Sequence, residues 1–204
     1  MAKSEKQQPN LFAKPLEELA RQAQGCRNCP LWKNATQTVF GEGSSRSQIM
    51  LIGEQPGNDE DLSGKPFVGP AGRLLDTSLI EAGIDRKKVY VTNVVKHFKW
   101  DKRRIHKKPS ASEIAACRPW LDAEFASVKP AVIVCLGATA TQALLGKTFR
   151  VTAQRGELIE SSLAPYVMAT VHPSSILRAP DEESRHNEEQ KFVADLKKIK
   201  KLKI

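Results

Sequence analysis

The chain has no apolar run long enough to cross a membrane. Runs such as IMLIG and AVIVCLG fall far short of the roughly 18 residues a span requires. Its start, MAKSEKQQPN, lacks the apolar stretch of a secretory signal. On these absences no membrane partner and a cytoplasmic location are expected. No internal repeat is visible, which removes solenoid architectures. Cysteine is sparse: in a reducing compartment the four residues form a metal set or sit unpaired in a core, rather than making two disulfides. Acidic residues are also short in supply. Twenty-three Asp and Glu against 32 Lys and Arg leave a net charge of +9, which points to a polyanionic partner. What remains is ordinary globular material. With 204 residues, 40% apolar and 27% charged, collagen, a disordered tail and a long coiled coil are excluded, and one domain over 1–204 is expected, with 1–14 as a flexible tail.

Strand and helix patterns alternate along the chain. PLEELARQAQG places Leu16, Leu19, Ala20 and Ala23 on one helical face, and SQIMLIG reads as a buried strand. It leads into GEQPGNDEDLSGKPFVGPAG, twenty residues with no periodicity, a length that in a compact domain signals function. GRLLDTSLIEAGI predicts a helix with Leu74, Leu75, Leu79 and Ile80 inward, and KVYVTNVV a second strand. Ser110 and Glu113 form a capping box ahead of a helix that Pro119 is expected to bend. AVIVCLG is a third strand backed by a helix from Ala138 to Leu145. PYVMATV is a fourth, and HNEEQKFVADLKKIKKLKI closes the chain as an amphipathic helix. Such alternation implies a mostly parallel sheet covered on both faces, with ligands at the carboxyl ends of its strands. GEQPG, the segment after TNVV, and HPSSILR all fall there.

Three groups of residues carry chemistry. Cys26 and Cys29 form a CxxC pair, with Cys117 on a helix and Cys135 in a strand; four thiolates suit zinc or an iron-sulfur cluster, and buried unpaired cysteines are the plain alternative. From Lys96 to Lys108, seven basic residues face the single acid Asp101, so thirteen residues hold +6 of the total. Phe98 and Trp100 interleave with these cations, which suits base stacking beside phosphate neutralisation, although many charge runs are solvated loops. Glu54, Asn93 and His172 each follow a strand, and His106 lies within the basic stretch. His97 and His186 read as ordinary core or surface residues.

GEQPG, GKPFVGPAG, VTNVVKHF, ACRPWL and HPSSILR, in this order and with the four cysteines, resemble the uracil-DNA glycosylase superfamily over about residues 26–178. The resemblance implies a three-layer α/β/α sandwich with a central, mostly parallel, four-stranded sheet. It is similar to the iron-sulfur branch, which implies a four-iron, four-sulfur (4Fe-4S) cluster on Cys26, Cys29, Cys117 and Cys135. GEQPG with its central glutamine and the insertion KRRIH (Lys102, Arg103, Arg104, Ile105, His106) resemble UdgX, whose members become covalently attached to uracil-containing DNA.

The implied roles follow residue by residue. His106 is the nucleophile toward the sugar, Glu54 accepts or directs its proton, and His172 donates to the uracil O2. Phe67 stacks on the flipped base and Asn93 reads its edge, with Gln55, Gly57 and Arg104 completing substrate binding. Lys102, Arg103, Ser174, Ser175 and Arg178 bind DNA, with Ile176 and Leu177 joining Arg178 at the gap left by the flipped nucleotide. The implied partner is uracil-containing DNA, single- and double-stranded, and a monomer is expected. A turnover glycosylase of the same fold, and a basic iron-sulfur or zinc module that binds nucleic acid without catalysis, stay open beside this reading.

Overall fold

The computed structural model describes residues 11, 14–202 and 204, so the tail expected over 1–14 lies, save Leu11 and Lys14, outside the described residues. The elements run α1 (Leu16–Ala23), β1 (Ile49–Gly53), α2 (Asn58–Ser63), α3 (Pro70–Glu81), β2 (Val89–Asn93), the two-residue strands β3 (Trp100–Asp101) and β4 (Ile105–His106), and α4 (Ala111–Val128). They continue with β5 (Val132–Leu136), α5 (Gly137–Leu145), α6 (Val151–Gln154), β6 (Leu158–Ser161), β7 (Ala164–Thr170), α7 (Pro173–Ile176) and α8 (Glu182–Lys200).

The main sheet has the order β2-β1-β5-β7-β6, parallel throughout except for β6, which runs antiparallel to β7 at the edge. It has five strands where four were expected. The fifth, LIES, alternates between exposed and half-buried positions on an edge and carries two polar residues, so it lacks the apolar run that marks the others. β1, β2 and β5 are buried along their whole length, as parallel strands covered on both faces must be. Their alternate residues feed two cores. Met50, Ile52, Ile133 and Val167 pack under α1, α4 and α5, while Leu51, Val91, Val134 and Met168 pack under α3, α7 and α8.

Local chemistry sets the boundaries. Ser110 Oγ accepts from Glu113 N and Glu113 Oε2 accepts from Ser110 N at 2.6 Å, so α4 starts on the expected capping box. It runs through Pro119 without ending, held by Cys117, Trp120 and Leu121 in the core on either side of the lost donor. α8 starts four residues before the expected point, because Asp181 Oδ1 accepts from Ser184 N at 2.7 Å. In α3, Leu75 and Leu79 are fully buried, but Ile80 is 73% exposed, contrary to its expected inward place. The loop expected over 53–72 holds a helix of its own, α2, whose Glu60 Oε2 accepts from Gly57 N at 2.9 Å while Oε1 accepts from Gly69 N at 2.7 Å. One buried carboxylate thus clamps the two halves of that loop. No helix among the described residues is long and apolar enough to cross a membrane.

Candidate active site

The carboxyl ends of β1, β2, β5 and β7 open onto a cleft of about 750 Å³. Register brings its residues together. Gly53 pairs with Asn93 and Leu136 with Thr170, so Glu54, Asn93, the start of α5 and His172 emerge at one level. Gly53 forms the floor. A methyl group there would lie 2.4 Å from Asn93 Oδ1, 2.8 Å from the tip of the Phe67 ring and 3.4 Å from His172 Nε2, so only glycine leaves these three side chains room to converge.

Phe67 is held unusually. Its φ of 57° is left-handed, and its carbonyl packs against Gly72, where a Cβ would sit 1.7 Å from the Phe67 oxygen. Its ring stacks beside that of His172 at 6.0 Å and 26°. Asn93 is 2% exposed, and its Oδ1 has no hydrogen-bond partner among the described residues. A buried acceptor left open is costly unless a ligand fills it.

His172 caps α7. Its Nδ1 accepts from Ser174 N at 3.1 Å and lies 2.8 Å from Ser174 Oγ, which assigns the ring proton to Nε2, the atom facing the floor. Burial lowers its pKa to about 4, with Arg178 and His106 adding to the shift, so the imidazole is neutral at physiological pH. Ser175 Oγ donates to the His172 carbonyl at 2.7 Å, and Arg178 is exposed at the rim. Leu177 is exposed as well, but Ile176 is not available at a DNA gap: it is buried between α3 and α8.

Glu54 and His106 meet across the cleft, with His106 Nε2 3.4 Å from Glu54 Oε1. The other carboxylate oxygen accepts from the Thr139 hydroxyl at the start of α5. The charge nearest the His106 ring is therefore a carboxylate, although the ring stands in a basic stretch. Thr139 went unnoticed in the sequence because nothing marks a threonine one turn into a helix as the partner of a glutamate 85 residues away.

The stretch 100–106 is a hairpin, β3 against β4, pairing Trp100 with His106. Arg103 and Arg104 both adopt left-handed φ, 63° and 58°, to close it. Two residues expected at the substrate, Gln55 and Arg104, have side chains that are already engaged, and Gln55 also lines the cleft. The Gln55 side chain is occupied by the hairpin: Nε2 donates to Lys99 O at 3.2 Å and Lys107 O at 3.1 Å, and Oε1 accepts from Lys99 N at 3.3 Å. Arg104 is likewise occupied. Nη2 donates to the fully buried Asp61 carboxylate at 2.6 Å, Nε donates to Asn58 Oδ1, and the guanidinium lies over the Phe98 and Trp100 rings. The Phe98 ring is buried and unavailable for base stacking. Lys102 and Arg103 are exposed at the hairpin tip, and Gly57 lines the cleft at the start of α2.

The cysteines divide three against one. Cys26 Sγ accepts from Trp120 Nε1 and Cys117 Sγ from Lys96 N, both at 3.2 Å. Burial, opposed by Lys96 and helped by the nearby Cys26 and Cys29, pushes Cys117 up to about 12, and Cys29 is raised by burial with Cys26 contributing. Cys135 is also raised to about 12, but by burial alone, from mid-sheet between Ile52 and Ala169. The structure therefore does not bring Cys135 into the expected set of four, and no group of three or more His, Cys, Asp or Glu among the described residues is placed to hold a metal ion. The residue the sequence passed over is His97. It is buried, its Nε2 lies 2.9 Å from Thr38 Oγ1, and it follows Lys96, whose N–H points at Cys117. Thr38 Oγ1 and the Cys26 N–H share the Ala23 carbonyl, so His97 is linked through Thr38 to the turn that carries Cys26.

The family model for the uracil DNA glycosylase superfamily matches residues 40–197. A Type-4 uracil-DNA glycosylase of Thermotoga maritima is 40% identical over 187 residues, 91% of this chain and 93% of that protein. Those of Archaeoglobus fulgidus (34% over 188 residues, 89% and 92%) and Sulfurisphaera tokodaii (36% over 200 residues, 93% and 85%) are similar to it over comparable lengths.

Proposed function

The chain belongs to the uracil DNA glycosylase superfamily, and from that premise we propose that it removes uracil from DNA and then captures the sugar covalently through His106. The observation that carries the base reading is the open Asn93 Oδ1 beside Phe67 and His172 on the Gly53 floor. Uracil flipped into the cleft stacks on Phe67, gives its N3–H to Asn93 Oδ1 and takes a hydrogen bond at O4 from the Asn93 amide. Cytosine reverses both positions and leaves buried groups unpaired.

Bond breaking puts positive charge on the sugar and negative charge on uracil. The C1′–N1 pair leaves on uracil, whose O2 receives a hydrogen bond from the neutral His172 at Nε2. His106 Nε2, unprotonated in the tautomer that keeps its proton on Nδ1, then forms the bond to C1′; the resulting imidazolium faces the Glu54 carboxylate, which Thr139 fixes from the other side, and releases its Nδ1 proton to solvent. Gln55 and Arg104 act as positioning residues that hold the hairpin carrying His106. Ser175 and Arg178 line the cleft and, with the exposed Lys102, Arg103 and Leu177, meet the DNA, and Ser174 holds the His172 tautomer.

Cys26, Cys29 and Cys117 have the right chemistry for an iron-sulfur cluster, with His97 as fourth donor in place of Cys135. Burial lowers the His97 pKa and favours the neutral, ligating imidazole. When bound, such a cluster supplies a cross-link between the segment after α1, the segment after β2 and α4.

A second reading, in which water attacks C1′ and the enzyme turns over, is favoured by the relatives named Type-4 uracil-DNA glycosylases. One experiment separates the two. Protein is mixed with end-labelled single-stranded DNA carrying one uracil, boiled in SDS and run on a denaturing gel, with a thymine strand alongside. A uracil-dependent shift by one protein mass, lost in His106→Ser, supports capture. Free uracil in molar excess over protein, with no shift, establishes turnover, and neither signal overturns the glycosylase reading.

A further inference from the structure

Three cavities adjoin one another along the β2 edge of the sheet. The active-site cleft and a neighbouring cavity of about 590 Å³ share Phe67. That cavity in turn shares Lys87 with a third, of about 450 Å³, at the amino ends of β1 and β2. Lys65, Arg73 and Lys87 line the middle cavity, and Arg46, Lys88 and Lys200 the far one. None of the six has an acidic partner among the described residues, whereas Arg86 between them is spent on Asp76 at 3.1 Å. Of the other acids there, Asp85 accepts from Lys87 N at 3.0 Å, which leaves Glu42 as the one carboxylate with no such engagement. The far cavity has an apolar floor of Ile49, Ile84 and Ile199. In its wall stands Ser47, 2% exposed, whose Oγ has no hydrogen-bond partner among the described residues.

We propose that these cavities form a track for the single-stranded segment that flanks the base held in the cleft. The six cations pair with successive phosphates, the apolar floor takes sugar and base faces, and the Ser47 hydroxyl meets a polar atom at the far end. The inference rests on the reading that the cleft holds a base of DNA. A duplex is too stiff to follow a groove that passes from the carboxyl to the amino ends of one sheet edge, whereas a single strand bends freely. The middle and far cavities are not lined by Glu54, His106 or His172, so their cations act on affinity and not on the bond broken.

The test compares binding of uracil-containing single strands of about 4 and about 16 nucleotides, the longer ones extended on the 5′ or the 3′ side. The proteins compared are the wild type and an Arg46→Ser, Lys87→Ser, Lys88→Ser variant, each across a salt series. One extension is expected to tighten binding by roughly tenfold, and the variant is expected to lose that gain together with about 2 of the slope of log affinity against log salt. The short strand should bind both proteins equally, which also shows that the variant is folded. No gain from either extension, or a gain the variant keeps, overturns the track. Because the gain depends on phosphates, it should survive replacement of uracil by thymine. A flank-dependent gain in a protein that releases no uracil would sink the glycosylase reading and leave the track standing.

Discussion

Gln55→Glu tests whether the hairpin is held from the end of β1. The substitution keeps size and retains an oxygen to accept from Lys99 N, but it replaces the amide that donates to Lys99 O and Lys107 O with a carboxylate oxygen facing two carbonyls. Two neutral hydrogen bonds at roughly 0.5–1.5 kcal/mol each amount to about 2 kcal/mol. If the closed hairpin depends on them, its closed-to-open ratio falls by up to about thirtyfold, because each 1.36 kcal/mol is a factor of ten. Two assays read this. Under single-turnover conditions the rate of SDS-stable capture should fall toward that limit, while release of free uracil changes only a few-fold, since Asn93, Phe67 and His172 sit on other elements. Hydrogen exchange at the Lys107 amide, which donates to Lys99 O at 2.9 Å, should speed up by a similar factor. Equal loss of capture and uracil release would place Gln55 in the base pocket, and unchanged exchange would refute the anchoring argument outright.

Further outcomes follow from the same geometry. Asn93→Asp exchanges the amide donor for an oxygen, so uracil excision should drop by two orders of magnitude or more, at about 1–3 kcal/mol for each buried group left unpaired; competition between uracil and cytosine strands reads the lost discrimination. His172 makes stability depend on pH in a defined direction. Its folded pKa of about 4 lies below the ordinary 6.5, so between these values the unfolded chain binds more protons, and its contribution is complete above pH 6.5 and lost as pH falls toward 4. The loss amounts to about 3 kcal/mol at 1.36 kcal/mol per unit, and denaturant melts should show a slope in the wild type that His172→Asn lacks. Finally, Cys135→Ala should keep the iron content and visible absorbance of the purified protein, whereas Cys117→Ala and His97→Ala should lose them. Loss of iron from Cys135→Ala alone would restore the four-cysteine set.

The residues legible in the sequence are those whose neighbours along the chain explain them. β1, β2 and β5 announce themselves because burial on both faces demands an unbroken apolar run, and Glu54, Asn93 and His172 are found because each follows such a strand. β6 escapes because an edge strand with one solvated face demands no such run. What the sequence withholds is which polar groups are already engaged. Arg104 reads as a phosphate ligand until the Asp61 carboxylate, 43 residues before it, is seen to hold it, and Gln55 reads as a base contact until its amide is found bonded to the hairpin. Cys135 and His97 err in opposite directions for the same reason. A thiol in a strand and a solitary histidine carry no sign of depth or company: one stands among apolar neighbours at the middle of the sheet, and the other beside Thr38, 59 residues away. The same reasoning gives the open groups their weight. Asn93 Oδ1 and Ser47 Oγ stand out only against a background in which nearly every other buried polar atom among the described residues has a partner, so they are where an external ligand has something to satisfy.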